Sequence, residues 1–259
     1  MCSARRFSLW LALGLWALTG VARGDSSDTP PIFVQRAEQN YEKARARYHS
    51  QITSAEAAWQ FGRACFDRAE VESDKKGREG FAEEGCYACR QALVDDPRSA
   101  WAHYYLGLDI GQLASAKGLG ALHLLHDMED EWKTAIRLDE KIDFSGPARS
   151  LGMLYRDAPG WPLSIGNRNH AIHYLTEAAR LSPDYPDNWI TLAEAYLKWN
   201  EYRPAATAAA RIPAAMAQAR QKLTGPNWES AWADWTRRWQ TIQARLSETS
   251  RPQSPHMGK

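Results

Sequence analysis

A large apolar residue followed by glycine or alanine recurs along this chain, as Phe61-Gly62, Leu106-Gly107, Leu151-Gly152 and Leu192-Ala193. The intervals are 45, 45 and 41 residues, and four positions after each leading residue stands Cys65, Ile110, Tyr155 or Tyr196. A second pattern answers the first: a small residue, a larger one four later, then alanine three after that. It reads Gly85-Cys89-Ala92 and Ala171-Leu175-Ala178, and Met128-Trp132-Ala135 with methionine in the small position. Pro97 and Pro183 close two of these units, the fourth begins with Ala205 and Ala209 and then decays, and Ala37-Tyr41-Ala44 upstream repeats the second pattern alone. Glycine or alanine at a helix crossing lets two backbones approach, while the larger residues fill the space beside them. One such pair cannot bury its own apolar face, so three or more must stack.

With Trp189 adding a W-x-x-L element in the last unit, these are the signatures of tetratricopeptide-like helix pairs. The chain is therefore predicted to be all-α, an α-α superhelix of such pairs with extended intra-repeat loops and a C-terminal capping helix. Standard units run to about 34 residues, so these are long. The surplus falls between the two helices of a pair, in "EVESDKKGREG", in "GQLASAKGLGALHLLHD" and in "DAPGWPLSIGN". Insertions at equivalent points project from one edge. In the third, Pro159 and Pro162 fix the path, and Trp161, Leu163 and Ile165 are too apolar for a free loop. They are expected to fold back and narrow the groove.

The ends follow from composition. "MCSARR", the apolar run "FSLWLALGLWAL" and small residues at Ala22 and Gly24 predict a secretory signal peptide over 1–24, too short to span a bilayer once read against its cleavage site. A flexible linker over 25–34, a repeat domain over 35–247 and a polar, disordered tail over 248–259 complete the division. Without Arg5, Arg6 and Arg23 the mature chain carries 29 basic against 31 acidic side chains, a net charge of about −2. That balance, with no Lys/Arg block, excludes a nucleic-acid partner of the electrostatic kind.

Candidate chemistry is sparse. "CYAC" at Cys86–Cys89 lacks the histidine that haem attachment needs and the second pair that zinc needs. Cys65 and Cys89 take facing positions in the repeat register, so a structural disulfide between them is expected, with Cys86 as the alternative partner. His123 with His126, and His170 with His173, have i, i+3 spacing without the HExxH form, and are expected to be solvated or capping groups. No nucleophile elbow, phosphate loop or dinucleotide fingerprint occurs, so no catalytic residue, cofactor or metal is assigned. Near the C-terminus, Trp228, Trp232, Trp235, Trp239, Ile242 and Leu246 form one stripe at spacings of 4, 3, 4, 3 and 4. Such a stripe covers the open face of the last repeat or makes an oligomer seam.

The segments "YYLGLDIGQLASAKGLGALHLL" and "FSGPARSLGMLYRDAPGWPLSIGNRNHAIHYLTEAARLSPDYPDNWITLAEAYL", with this repeat layout, resemble the TRAP transporter T-component family over roughly residues 35–215. The resemblance implies an exported tetratricopeptide-like accessory beside a periplasmic solute-binding protein, and self-assembly. "AAWQFGRACFDRAE" also resembles the animal regulators of microtubule dynamics, which share the architecture. The reading is an exported, non-enzymatic scaffold for a protein partner, with Tyr104, Tyr155 and Tyr196 in the groove and Trp161 on the insertion edge as binding residues. The alternative is a carrier of a small apolar ligand or lipid in a cavity closed by the loops.

Overall fold

The computed structural model describes residues 31–249. The signal peptide expected at 1–24, most of the linker and residues 250–259 of the tail lie outside the described residues. Helices α1 (Pro31–Ser50), α2 (Ala55–Glu70), α3 (Lys75–Asp95), α4 (Ala100–Lys117), α5 (Leu124–Leu138), α6 (Ile142–Asp157), α7 (Arg168–Leu181), α8 (Pro186–Lys198), α9 (Tyr202–Ala209), α10 (Ile212–Lys222) and α11 (Glu229–Thr249) follow in order, with short 3-10 turns at Gly118–Ala121 and Pro226–Trp228. α1 begins inside the stretch expected as linker, where Phe33 and Val34 find partial cover, and α11 runs into the stretch expected as tail.

The two sequence patterns meet at the helix crossings. A Cβ on Gly62 would lie 2.2 Å from Cys89 Sγ, on Gly107 2.4 Å from Trp132 Nε1, and on Gly152 2.6 Å from Leu175 Cγ. Each first-helix glycine is thus the notch that receives the large residue of its partner helix, which sets the pairs α2/α3, α4/α5 and α6/α7. The Trp132 indole, fully buried, donates to Tyr104 O at 3.2 Å, so its burial leaves no donor unpaired. Ser54, Asp74, Ser99 and Asn167 cap α2, α3, α4 and α7 by accepting from the backbone N–H three residues on.

Only one of the three expected loops is a loop. The first surplus becomes extra turns of α3, which runs for 21 residues behind the Asp74 cap; Lys117 of α4 reaches its Glu79 and Glu83 at 3.6 and 3.5 Å. Lys75, Lys76, Arg78 and Glu79 favour helix, so the stretch extends α3 rather than leaving it. The second is taken up by the end of α4, the 3-10 turn at Gly118–Ala121 and the start of α5. The third, residues 158–167, stays irregular.

α6 opens with a short left-handed turn. Asp143, Phe144 and Ser145 have φ of 46°, 56° and 60° ahead of Gly146-Pro147. Three L-residues in that region cost roughly 1–2 kcal/mol each, so the surroundings must hold them. Tyr104 donates to Asp143 Oδ2 at 3.1 Å, Phe144 stacks on Tyr185 at 4.5 Å, and Ser145 shares a hydrogen bond with Ser182 at 2.9 Å. Arg149 and Asn188 both donate to the Phe144 carbonyl, at 3.3 and 3.1 Å.

The tryptophan stripe faces inward. Trp228, Trp235 and Ile242 are buried, and Trp232, Trp239 and Leu246 pack partly covered against the core. Trp235 meets Tyr185 edge-on at 5.3 Å, Trp228 meets Phe144 at 6.1 Å, and α11 lies along α8. It is a capping helix. At the other end of the chain Arg36 of α1 donates to Pro226 O at 2.9 Å and to Glu229 at 2.7 Å, so the first helix touches the start of the last.

Candidate functional site

The loop between α6 and α7 is built to hold its tip out. Asn167 N donates to Tyr155 O at 2.9 Å and Gly166 N to Pro159 O at 2.8 Å, while Leu163 N and Ser164 N donate to Gly160 O at 3.1 and 3.3 Å. Gly160 and Gly166 pair as a β-bridge, and a Cβ on Gly166 would fall 2.1 Å from Ala158 O, so only glycine lets the two limbs close. Ile165 packs against the core. Trp161 and Leu163 do not: they are 88% and 71% exposed, with a cis peptide between Trp161 and Pro162. The expected folding-back of this loop is therefore corrected for its tip, because the backbone hydrogen bonds that pin the base turn Trp161 and Leu163 outward. The tip does not narrow a groove.

The base of the loop is polar and ordered. Asp157 accepts from both Arg156 and Lys198, the latter at 2.9 Å. Burial alone would raise the Asp157 carboxyl, but these two cations hold it below the usual carboxylate range. Arg168 pairs with Glu201 and lies over the Trp199 ring.

The tyrosines expected in a groove take other roles. Tyr104 is buried and supports the left-handed turn through Asp143; burial pushes its hydroxyl far above the ordinary range. Tyr155 is buried between α6 and α7, stacks with Tyr174 at 5.8 Å and donates to Glu129 at 2.5 Å; burial and that hydrogen bond raise its pKa. For both, the spacing indicates the right helix but the wrong side of it. Tyr196 is half-buried against the core. Of the four, Trp161 alone presents most of its surface to solvent.

The disulfide is not formed. Cys65, Cys86 and Cys89 are free, buried thiols. The physical reason is the crossing itself: Cys89 Sγ fills the notch over Gly62 and donates to Asp109 Oδ2 at 3.8 Å, so it points at α4 and not at Cys65. Asp109 is completely buried over Gly85, its Oδ1 has no hydrogen-bond partner, and desolvation raises its pKa well above the ordinary value. His126 lies 3.6 Å from Glu129, while His170 and His173 sit edge-on to Tyr155 and Tyr174. Among the described residues no three of His, Cys, Asp and Glu gather so as to hold a metal ion, and no helix is long and apolar enough to cross a membrane.

One cluster escaped the sequence reading. Arg238 of α11 donates to Asp187 at 2.6 Å, to Thr191 at 2.9 Å and to Glu194 at 2.8 and 2.6 Å, with Asp234 at 3.3 Å. Behind it Arg149 pairs with Asp187 at 3.2 Å and Arg156 with Glu194 at 4.0 Å. Burial would raise Asp187, but Arg238 and Arg149 together bring it below the usual range. The signal was present: Arg238 falls between Trp235 and Ile242 on the apolar stripe, where an arginine needs a buried acid opposite.

Paired helices with small-residue crossings, stacked and closed by a C-terminal cap, define a tetratricopeptide-like helical repeat protein. A tetratricopeptide repeat profile matches residues 166–223, and the profile of the family "Regulator of microtubule dynamics protein 1-3" matches residues 32–145. The fold is similar to that of a thermophilic tetratricopeptide protein of Thermus thermophilus, with TM-score 0.58 at 17% identity over 82% of this chain and 92% of that one. MamA is also similar, with TM-score 0.46 at 16% identity over 73% and 94% of the two chains. No curated protein sequence matches the chain.

Proposed function

We propose that this chain is an exported, non-enzymatic scaffold that captures a protein partner through the tip of the α6–α7 loop, beside a solute-uptake system of the TRAP type. The observation that carries the docking reading is the exposure of Trp161 and Leu163 on a loop whose backbone is pinned at its base. Tryptophan is enriched among residues that dominate binding energy, and a pre-ordered loop loses little freedom on docking. Helical-repeat folds are commonly non-catalytic interaction scaffolds, which agrees. Export is supported by the basic n-region, short apolar run and small-residue site of the first 24 residues. The resemblance of residues 144–197 to T-components supports a periplasmic solute-binding protein as the partner.

Two measurements test this. Expressed in a bacterial host, the protein should be recovered from the periplasm with a mature N-terminus at Asp25; retention of residues 1–24 in the cytoplasmic fraction would refute export. A photo-crosslinker replacing Leu163 should give one discrete adduct in the native periplasm, lost when Trp161→Ala is added. A crosslinker on the exposed face of α11, at Gln240, should not give it. Equal adducts from both positions would remove the loop from the site.

A further inference from the structure

α9 and α10 share one outer face. Backbone angles stay in the right-handed helical region through Ala210 and Arg211, which join the two helices. Buried positions therefore recur at a helical period across the junction, as Ala205, Ala208, Ile212, Ala215, Ala219 and Leu223. On the opposite side Arg203, Thr207, Ala210, Ala214, Gln218 and Gln221 are exposed, at spacings of 4, 3, 4, 4 and 3. Arg211 and Lys222 stand four residues beyond Thr207 and Gln218, which puts them on this side too.

The face carries one sign of charge. From Tyr202 to Trp228 the chain has four cations, Arg203, Arg211, Arg220 and Lys222, and no acid. The flanking acids are engaged elsewhere, Glu201 by Arg168 and Glu229 by Arg36. Other surface helices match their cations internally, as in Glu129–Lys133, Glu177–Arg180 and Asp234–Arg237. Among the described residues neither Arg203 nor Arg211 has an ion-pair partner. Lys222 meets Asp184 at 3.6 Å, in a pair more than half exposed on both sides, and pairs so wetted hold weakly. Arg220 lies over the Trp232 ring at 4.5 Å, which leaves its charge in place.

The side chains between these cations decide what the face fits. A protein interface of ordinary affinity needs a large anchor buried at its centre, and here alanine, threonine and glutamine stand there instead. A plane of phosphates needs no anchor. Cations projecting from a low surface suffice, and the guanidinium fork matches phosphate oxygens in pairs. We infer that the α9–α10 face is a docking surface for an anionic phospholipid bilayer, on which the protein lies peripherally. Tyr202, exposed beside Arg203 at the edge of the face, is of the residue type that settles at headgroup level. The contact is electrostatic, so it is reversible and weakened by salt. It shares no residue with the Trp161 tip, so either assignment can fail without the other.

The test uses residues 25–259, which contain the whole described fold and leave out the apolar run near the N-terminus that could insert by itself. This form has a net charge of about −2, so its overall charge does not draw it to an anionic surface. Vesicles of phosphatidylcholine, alone or with about one-third phosphatidylglycerol, are sedimented with it at about 0.02 M salt. The anionic vesicles should bind it at least about tenfold better than the neutral ones, and that preference should vanish near about 0.5 M salt. Arg203→Glu/Arg211→Glu, with unchanged circular dichroism, should weaken binding at least about thirtyfold, and Arg203→Lys/Arg211→Lys should retain it. Lys75→Glu/Lys76→Glu changes the net charge equally on exposed residues of α3 and should leave binding within about twofold. Equal binding to both kinds of vesicle, or equal loss from the two reversals, overturns the inference. A chain that ignores the vesicles but binds poly-glutamate overturns it as well, and assigns the face to an acidic protein.

Discussion

Asp109 shows how a single side chain can sit against the grain of its surroundings. It is buried among Cys89, Gly62 and Gly85, and desolvation, with the Asp67 carboxylate adding to it, raises its pKa well above the ordinary carboxylate value. The folded pKa therefore lies above the unfolded value of about 3.9. Below that pH both states are protonated and the group is neutral toward stability; as pH rises the unfolded chain releases its proton first, and stability falls until the folded pKa is passed. Asp109→Asn should remove this slope, so that urea midpoints at pH 4.5 and 7.5 converge relative to wild type, with the variant the more stable at the higher pH. Gly107→Ala should cost about 2–3 kcal/mol in the same melts, because the new methyl meets a hydrogen-bonded indole with nowhere to turn. The glycine notches and their partners were legible in spacing alone, since repetition at fixed intervals leaves few other causes. The free thiols were not: register says that Cys65 and Cys89 share an interface, whereas the direction of a Cβ–Sγ bond depends on what lies one helix further on, here Asp109.

Among the elements, the loop of residues 158–167 and the turn that opens α6 divide the work of shape. In the loop, glycine and proline positions predicted the irregular path, but apolar composition wrongly suggested burial for Trp161 and Leu163. Their outward direction follows from the Gly160–Gly166 closure, a backbone pairing that no side-chain pattern announces. Trp161→Ala should accordingly change thermal stability by no more than about 0.5 kcal/mol, measured by calorimetry, while removing the crosslinked partner. The turn is the opposite case. Phe144 is stacked against Tyr185, touched by Trp228, and its carbonyl takes two donors. Phe144→Ala should destabilise the chain by about 3 kcal/mol in urea melts. Nothing in "DFSGP" declares a left-handed conformation, which is imposed from α4 and α8.

On the scale of the whole molecule, the repeat period fixed the order and pairing of helices because each contact in a solenoid is with a neighbour. Closure was invisible, since Arg36 and Glu229 are 193 positions apart and neither residue belongs to a repeated pattern. The capping role of the tryptophan stripe lay between these extremes: its period predicted a buried face, while Arg238 beside it, which the stripe does not include, is the part that bonds to α8. The Arg36–Glu229 contact also has a mechanical meaning. An open helical repeat behaves as a spring whose two ends can be drawn apart; here the leading end is hooked onto the trailing helix. Tension that draws α1 away from α11 therefore loads the two Arg36 hydrogen bonds, to Pro226 O and to the wetted Glu229, so that hook yields first while α1 stays packed on α2 and the spring keeps its coils.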